Sequence, residues 1–273
     1  MNKETRSSEE LRRHYELEKR LADELRSATR EERLKLYPKL YDQLYRDVPY
    51  LKTNPTTVDT RHIKATLRTL KPFLGPDTTF LEIGAGNLAV SRAVSTHVKR
   101  VCSLDVSKEF STALGPVPSN VDVIISDGLS VPVPENSIDI AYSSQLMEHL
   151  HPDDAVEQLK NIYRSLKTGG QYICNTPHRF NGPHDISMYF EREAAGFHLK
   201  EYTNAELAKL FRKAGFTKVW SLTGARGYVI PCPLAILLWI ERLIAAFPKS
   251  WRKTVSSFPP IKILLGVRLI GVK

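Results

Sequence analysis

The sequence is poor in the features that mark several protein classes. It holds three cysteines in 273 residues, Cys102, Cys174 and Cys232, each alone. Without a Cys-x-x-Cys pair, neither a zinc ribbon nor a disulfide framework is expected, and isolated thiols fit a reducing cytoplasm. Long apolar runs are also lacking. The longest, Tyr228 to Ile240, is shorter than the ~20 residues a membrane-spanning helix needs. The opening segment, MNKETRSSEELRRHYELEKR, is charged throughout and has no apolar stretch of the secretory-signal kind. No internal repeat or low-complexity segment occurs. Acids become scarce late in the chain: from Lys200 onward, thirteen lysines and arginines stand against Glu201, Glu206 and Glu241. The net charge of +9 is therefore concentrated there. It suits an anionic substrate, a membrane surface or nucleic acid, or simply a solvated basic face.

What is present is an ordinary globular balance. With 42% hydrophobic and 25% charged residues, the chain can bury a sizeable core and is not a disordered one. Residues 8–48 read as helix, with Leu17, Leu21 and Leu25 recurring every four residues and a break near Ala28-Thr29. Leu34, Tyr37, Leu40, Tyr41, Leu44 and Tyr45 mark a second helix, which Pro38 should kink or restart. Thr53 to Thr57, around Pro55, closes this region, and a further helix spans about Val58 to Leu70. The pattern then alternates. Apolar runs at 79–83, 99–104, 121–126, 138–142 and 170–175 are separated by helical stretches at 87–97, 107–114 and 153–167. That alternation predicts a parallel sheet with crossover helices. A helix over 203–215 starts at Thr203 or Asn204, and strands near 217–223 and 265–271 enclose a long insertion. Three parts follow: a helical extension or cap over 1–57, an α/β domain over 58–224 and 264–273, and a helical substrate lid over 225–263.

The chemistry begins at "FLEIGAGNLAV", Phe80 to Val90. The apolar run ends near Glu82, at the carboxyl edge of the predicted sheet, where such folds bind ligands. Gly84 and Gly86 allow a sharp turn and a close ligand. A pyrophosphate would seek free N–H groups and would be disfavoured by the acid beside them. Glu82 suits a ligand with a positive group, and S-adenosylmethionine carries an ammonium and a sulfonium. Asp105, about twenty residues past the glycines, is placed for ribose hydroxyls. Asp127, after the next strand, could accept a hydrogen bond from an adenine amino group. Three acids after three consecutive strands can also be read as surface carboxylates that cap helices.

These residues carry a resemblance. The segment Phe80 to Thr176 resembles the class I S-adenosylmethionine-dependent methyltransferases, of the methyltransferase type 11 and ubiquinone-type O-methyltransferase kind. "LEIGAGNLAV", "LDVS", "SDGLSVPVPENSIDIAYSSQLMEHL" and "LKTGGQYICNTP" look like that family's successive motifs. Leu88 replaces a third glycine the family often has. The resemblance implies a Rossmann-like, seven-stranded, mostly parallel sheet with helices on both faces and an antiparallel last strand. It implies that Glu82, Gly84 and Gly86 hold the methionine end, Asp105 and Val106 the ribose, and Asp127 and Gly128 the adenine. Ser143 and Gln145 would line the sulfonium side, while Tyr41 or Arg61 from the N-terminal region would help to cover the cofactor.

The acceptor is less defined. Histidine is the usual base near neutral pH, and "EHLHPDD" and "NTPHRFNGPHDISMYF" offer His149, His178 and His184 as catalytic candidates. His198 reads as structural. Resemblance to the ubiquinone-type enzymes suggests a Glu-x-x-Glu-His metal motif, but "QLMEH" has Gln145 first, so no metal is expected. The insertion, "PLAILLWIERLIAAFPKSWRKT", is an apolar helix with a basic flank. It fits a lid over a hydrophobic substrate, an interfacial helix reaching a lipid-linked one, a dimer contact or a core helix. The leading expectation is O-methylation of a small molecule, glycan or lipid-linked acceptor by a cytoplasmic, possibly peripheral, enzyme. The alternatives are an RNA methyltransferase, an NAD-dependent oxidoreductase, and a non-catalytic cofactor-binding protein.

Overall fold

The computed structural model describes residues 6–53, 60–107 and 116–273. The expected turn over Thr53 to Thr57 and the start of the following helix lie mostly outside them, as does most of the helix expected over 107–114.

Two capping boxes set the N-terminal helices. Ser7 with Glu10 starts α1 (Ser8–Ser27), and Thr29 with Glu32 starts α2 (Arg30–Asp47). Pro38 does not begin a new helix; it lies inside α2, which continues through it. An interior proline costs about 3 kcal/mol. Tyr37, Leu40 and Leu44 are buried on the same helix, and each such side chain contributes about 1.5–3 kcal/mol. Tertiary packing therefore outweighs the local penalty. After the short α3 (Tyr50–Thr53), α4 spans Thr60–Leu70.

The sheet has eight strands: β1 (Thr79–Ile83), β2 (Arg100–Asp105), β3 (Val121–Ile125), β4 (Ile138–Ser144), β5 (Leu166–Thr176), β6 (Lys218–Ala225), β7 (Tyr228–Cys232) and β8 (Val267–Val272). Their order is β3-β2-β1-β4-β5-β8-β6-β7. The first five are parallel, and β8 runs antiparallel between β5 and β6. Successive residues of a strand face opposite sides, which gives two cores. Leu81, Ala141, Cys174 and Leu269 pack on one face with α1 and α2. Phe80, Ile140, Ile173 and Ile270 pack on the other with Leu70 and Val94. Helices α5 (Ala89–Ser95), α6 (Pro152–Ser165) and α7 (Asn204–Ala214) complete the α/β layers.

The eighth strand is the departure from the expected seven. The insertion opens as β7, not as helix. Gly224, Arg226 and Gly227 all take positive φ, so the chain doubles back, and a Tyr-Val-Ile run suits an edge strand. A side chain on Gly227 would lie 2.2 Å from the Ala65 carbonyl oxygen; only glycine fits where the hairpin meets α4. Helices α8 (Leu234–Ala245), α9 (Lys249–Ser257) and α10 (Pro259–Leu265) follow.

Candidate cofactor and acceptor site

The strand order reverses on either side of β1. In such sheets the crevice beyond the carboxyl ends of the strands flanking that point is where ligands bind. A cavity of about 440 Å³ lies there, and Gly84, Gly86, Asp105, Val106, Gly128 and Gln145 line it. Gly84 and Gly86 have φ of 73° and 48°, the left-handed region that favours glycine. Leu88, where a third glycine might stand, takes the same conformation at φ 58°. That geometry costs a non-glycine residue roughly 1–2 kcal/mol. Leu88 is 1% exposed, and its burial offsets the strain.

Asp105 accepts from the backbone N–H of Gly86 at 2.7 Å and of Ser107 at 2.9 Å. Burial raises its pKa despite these bonds. It both locks the glycine turn and faces the cavity. Glu82 is placed differently. It is not among the cavity residues; its carboxyl turns under α5 and accepts from the Ser91 hydroxyl, which also bonds Ser103. Burial pushes Glu82 up to about 8, with the Ser91 hydrogen bonds resisting. Asp127 also stays outside the lining. Its oxygens accept from Leu129 N, Ser130 N and Ser130 Oγ at 2.6–2.8 Å. Gln158, which sequence reasoning missed, stands nearer. Its Nε2 donates to the Gly128 carbonyl at 2.6 Å, and its buried Oε1 has no partner among the described residues. Ser143 is fully buried and pairs with the Tyr172 hydroxyl at 2.7 Å, away from the lining. Arg61 does not line the cavity either.

α1 and α2 form the opposite wall. Tyr41 packs edge-on to Phe197 and His149, and its buried hydroxyl has no partner among the described residues. Arg6 Nη1 donates to His14 Nδ1 at 2.6 Å, which makes Nε2 the protonated nitrogen, and Nε2 donates to Glu18 at 2.8 Å. Glu18 also accepts from Phe197 N. His14 and Glu18 lie on the buried face of α1. Their spacing of four residues was the available signal, but on a charged helix it reads as an exposed pair.

His149, His184 and His198 line the cavity together; His178 does not. His178 is buried and bonds Glu241 of α8 at 2.8 Å, so it anchors the insertion. The Nδ1 of His149 donates to the Phe197 carbonyl at 3.0 Å. Burial, then the neighbouring His198, lowers its pKa to about 3, so it stays neutral. Glu201 bridges the other two. It accepts from His198 Nδ1 at 2.8 Å and His184 Nδ1 at 3.4 Å. Burial opposes its charge, yet those bonds hold the carboxyl near 2. Burial also works against a charged His198; the hydrogen bond to Glu201 and the charge of Glu148 outweigh it and raise its pKa. Glu148 is completely buried, with Oε2 on Thr176 at 2.7 Å and Oε1 unpartnered among the described residues. Glu148, His149 and His198 each bring one donor atom within 4.8 Å of the others.

Comparison with known proteins agrees with this geometry. Residues 81–174 match the model of the methyltransferase domain family. A probable S-adenosylmethionine-dependent methyltransferase of Mycolicibacterium smegmatis is 27% identical over 136 residues, 50% of this chain and 51% of that protein. The chain spans about half the length of the curated relatives it matches. Among solved structures, a putative methyltransferase bound to the Haloferax volcanii Trm112 activator has a TM-score of 0.58 at 18% identity, covering 82% of this chain and 95% of that one. Phosphoethanolamine N-methyltransferase 1 of Haemonchus contortus, bound to phosphoethanolamine and S-adenosylhomocysteine, has 0.56 at 18%, covering 84% and 57%.

Fold, glycine turn and sequence match define one class: a Rossmann-like α/β domain for S-adenosylmethionine. Over residues 81–174 the chain is similar to the class I S-adenosylmethionine-dependent methyltransferases, and S-adenosylmethionine is the cofactor of that class. The residues fit it. Asp105 and the left-handed glycines stand at the sheet edge, and two lining residues, Tyr41 and Gln158, carry buried polar atoms, Oη and Oε1, that have no partner among the described residues.

Proposed function

We propose that the chain methylates a hydroxyl oxygen of a small-molecule, glycan or lipid-linked acceptor, with His198 as the base. The observation that carries this is the His198–Glu201 pair in the cavity wall. A hydroxyl is a weak nucleophile until its proton is taken, and a positioned base contributes about 10²–10⁴-fold. Glu201 holds Nδ1–H of His198, which leaves Nε2 as the lone-pair nitrogen, and stabilises the imidazolium that forms. His184 orients Glu201 from the other side. His149, held neutral, offers a second Nε2 lone pair, which can accept from another donor group of the acceptor, such as a second hydroxyl.

When bound, S-adenosylmethionine supplies an electrophilic methyl carbon on its sulfonium. The chain aligns the acceptor in line with it and moves one proton, from the hydroxyl to Nε2 of His198. Gly84, Gly86 and Asp105 hold the methionine and ribose side, Gln158 and Gly128 the adenine side, and Tyr41 closes over them.

The test is a screen of hydroxylated acceptors by product mass, followed by His198→Ala. Turnover should fall at least 100-fold while affinity for S-adenosylhomocysteine stays within about threefold. Undiminished turnover would remove His198 from the reaction. Methyl transfer confined to nitrogen acceptors would refute the choice of oxygen.

A further inference from the structure

The helices of the insertion present a surface that the methyl-transfer site does not use. α8 has two apolar faces. Leu237, Glu241 and Ile244 point inward and are buried. On the opposite side, Ile236, Trp239 and Leu243 are 49%, 63% and 47% exposed. At 100° per residue these three lie within one narrow stripe, and Phe247 just past the helix end falls in line with them. Trp251 on α9 and Phe258 before α10 are 61% and 58% exposed. Among the described residues, half of the fourteen large exposed hydrophobics thus fall between 236 and 263. Single exposed apolar residues are normal; a cluster of this size marks an interaction site.

Charge selects the occupant. Glu241 is the one acid after Glu206, and it is buried against His178, Asn204 and Ala205. Arg242, Lys249, Lys253 and Lys262 are all exposed. Arg252 is used structurally: it donates to the Phe247 and Ala245 carbonyls at 2.9 and 2.7 Å, tying α9 to the end of α8. Helices α8–α10 therefore combine tryptophans, aliphatics and cations with no exposed acid of their own; the nearby exposed Glu193 reaches Lys249 alone, at 4.0 Å. A second copy of the chain would meet this surface, in a two-fold pairing, with the same cations opposed. A bilayer with anionic headgroups offers apolar depth for the rings and negative charge for the lysines, whose stems reach outward past the apolar layer.

We infer that α8–α10 form a docking surface for an anionic lipid bilayer. The surface adjoins the cavity through one loop. Arg179–Asn181 packs on α9, and Phe180 lies 6.0 Å from the Arg252 guanidinium. A few residues on, Met188 and Tyr189 line the cavity while being 47% and 46% exposed. Docking thus brings the cavity rim towards the lipid. The inference holds whatever atom the cavity methylates.

The experiment uses the purified chain, with vesicles of phosphatidylcholine alone and of phosphatidylcholine with phosphatidylglycerol. Tryptophan emission should shift to the blue on the anionic vesicles only, be quenched by brominated acyl chains, and return as salt is raised. Lys253→Gln with Lys262→Gln should weaken binding about 25-fold, from about fivefold per lost charge at an anionic surface. Trp239→Ser with Trp251→Ser should abolish the shift. A cooperative thermal transition like that of the unaltered chain establishes that each variant is folded, and the charge variant keeps both tryptophans. No association with anionic vesicles at low salt overturns the inference. So does equal binding to neutral vesicles, or a stable dimer that the Trp239→Ser, Trp251→Ser variant dissociates.

Discussion

Glu82 offers the sharpest check on the physical account of the site. Its carboxyl titrates near 4.5 in the unfolded chain and at about 8 in the folded one, because burial disfavours its charge more than the Ser91 hydrogen bonds favour it. The folded state then holds a proton that the unfolded state releases, so stability falls as pH rises from about 4.5 to 8 and levels off above. At pH 7, ionisation of the freed carboxyl favours unfolding by about 3 kcal/mol, at 1.36 kcal/mol per pH unit. Glu82→Gln removes that ionisation, and the amide oxygen can still accept from Ser91. The variant should be more stable than the parent by up to about 3 kcal/mol at pH 7, by urea denaturation. The gain should shrink towards pH 5. Affinity for S-adenosylhomocysteine should change by less than threefold, because the carboxyl does not line the cavity. A variant less stable at pH 7, or one whose stability keeps the parent's pH slope, would refute the reasoning. A loss of affinity of tenfold or more would return Glu82 to the methionine end as a charged partner.

Three other outcomes follow from the site. Gln158→Ala should weaken S-adenosylhomocysteine binding about tenfold by calorimetry, the loss of one buried hydrogen bond, whereas equal affinity would leave the adenine side to the backbone at Gly128. The pH–rate profile should rise through an apparent pKa above histidine's ordinary 6.5, since Glu201 raises His198; Glu201→Gln should move that limb to lower pH as well as slow turnover, and an unmoved limb would uncouple the pair. Dialysis against a chelator should leave turnover unchanged, with no stoichiometric metal in elemental analysis; loss of activity restored by a divalent cation would assign Glu148, His149 and His198 as its ligands.

The parallel half of the fold was legible because its signals are local. Apolar runs and helical stretches alternate along the chain, and a glycine turn and two acids sit at strand ends. The start of α7 was legible as Thr203 or Asn204, and the capping box of Thr203 with Glu206 sets it at Asn204. β7 was hidden inside a run that reads equally as helix, and only the backbone geometry of Gly224 to Gly227 decides it. Side-chain direction was the other blind spot. A strand-end acid can face the cavity, as Asp105 does, or turn beneath a helix, as Glu82 does, and sequence order is the same for both. Histidines in loops carried still less information. His178 and His184 are six residues apart, yet one anchors α8 and the other reaches the cavity.

The two walls of the cavity have different physical origins, and this separates what the class fixes from what this chain decides. The cofactor side is built from the carboxyl ends of β1, β2 and β4, held by parallel pairing and a buried core, so its geometry follows from the sheet. The acceptor side is assembled from distant segments: Glu18 of α1, His149 after β4, and the loop from His184 to Glu201. Its register depends on long-range polar bonds such as Glu18 to Phe197 N and on the carboxylate of Glu201 bridging two histidines. Buried groups of this kind are costly unless satisfied. Each histidine of this wall therefore has one nitrogen fixed by a carbonyl or carboxylate, and what remains free is a small set of nitrogen lone pairs on an otherwise apolar, aromatic-lined wall. Under the proposed function, such a surface would discriminate by where an acceptor's hydroxyl falls and by the apolar bulk around it, and those features, not the sheet, would carry the choice of substrate.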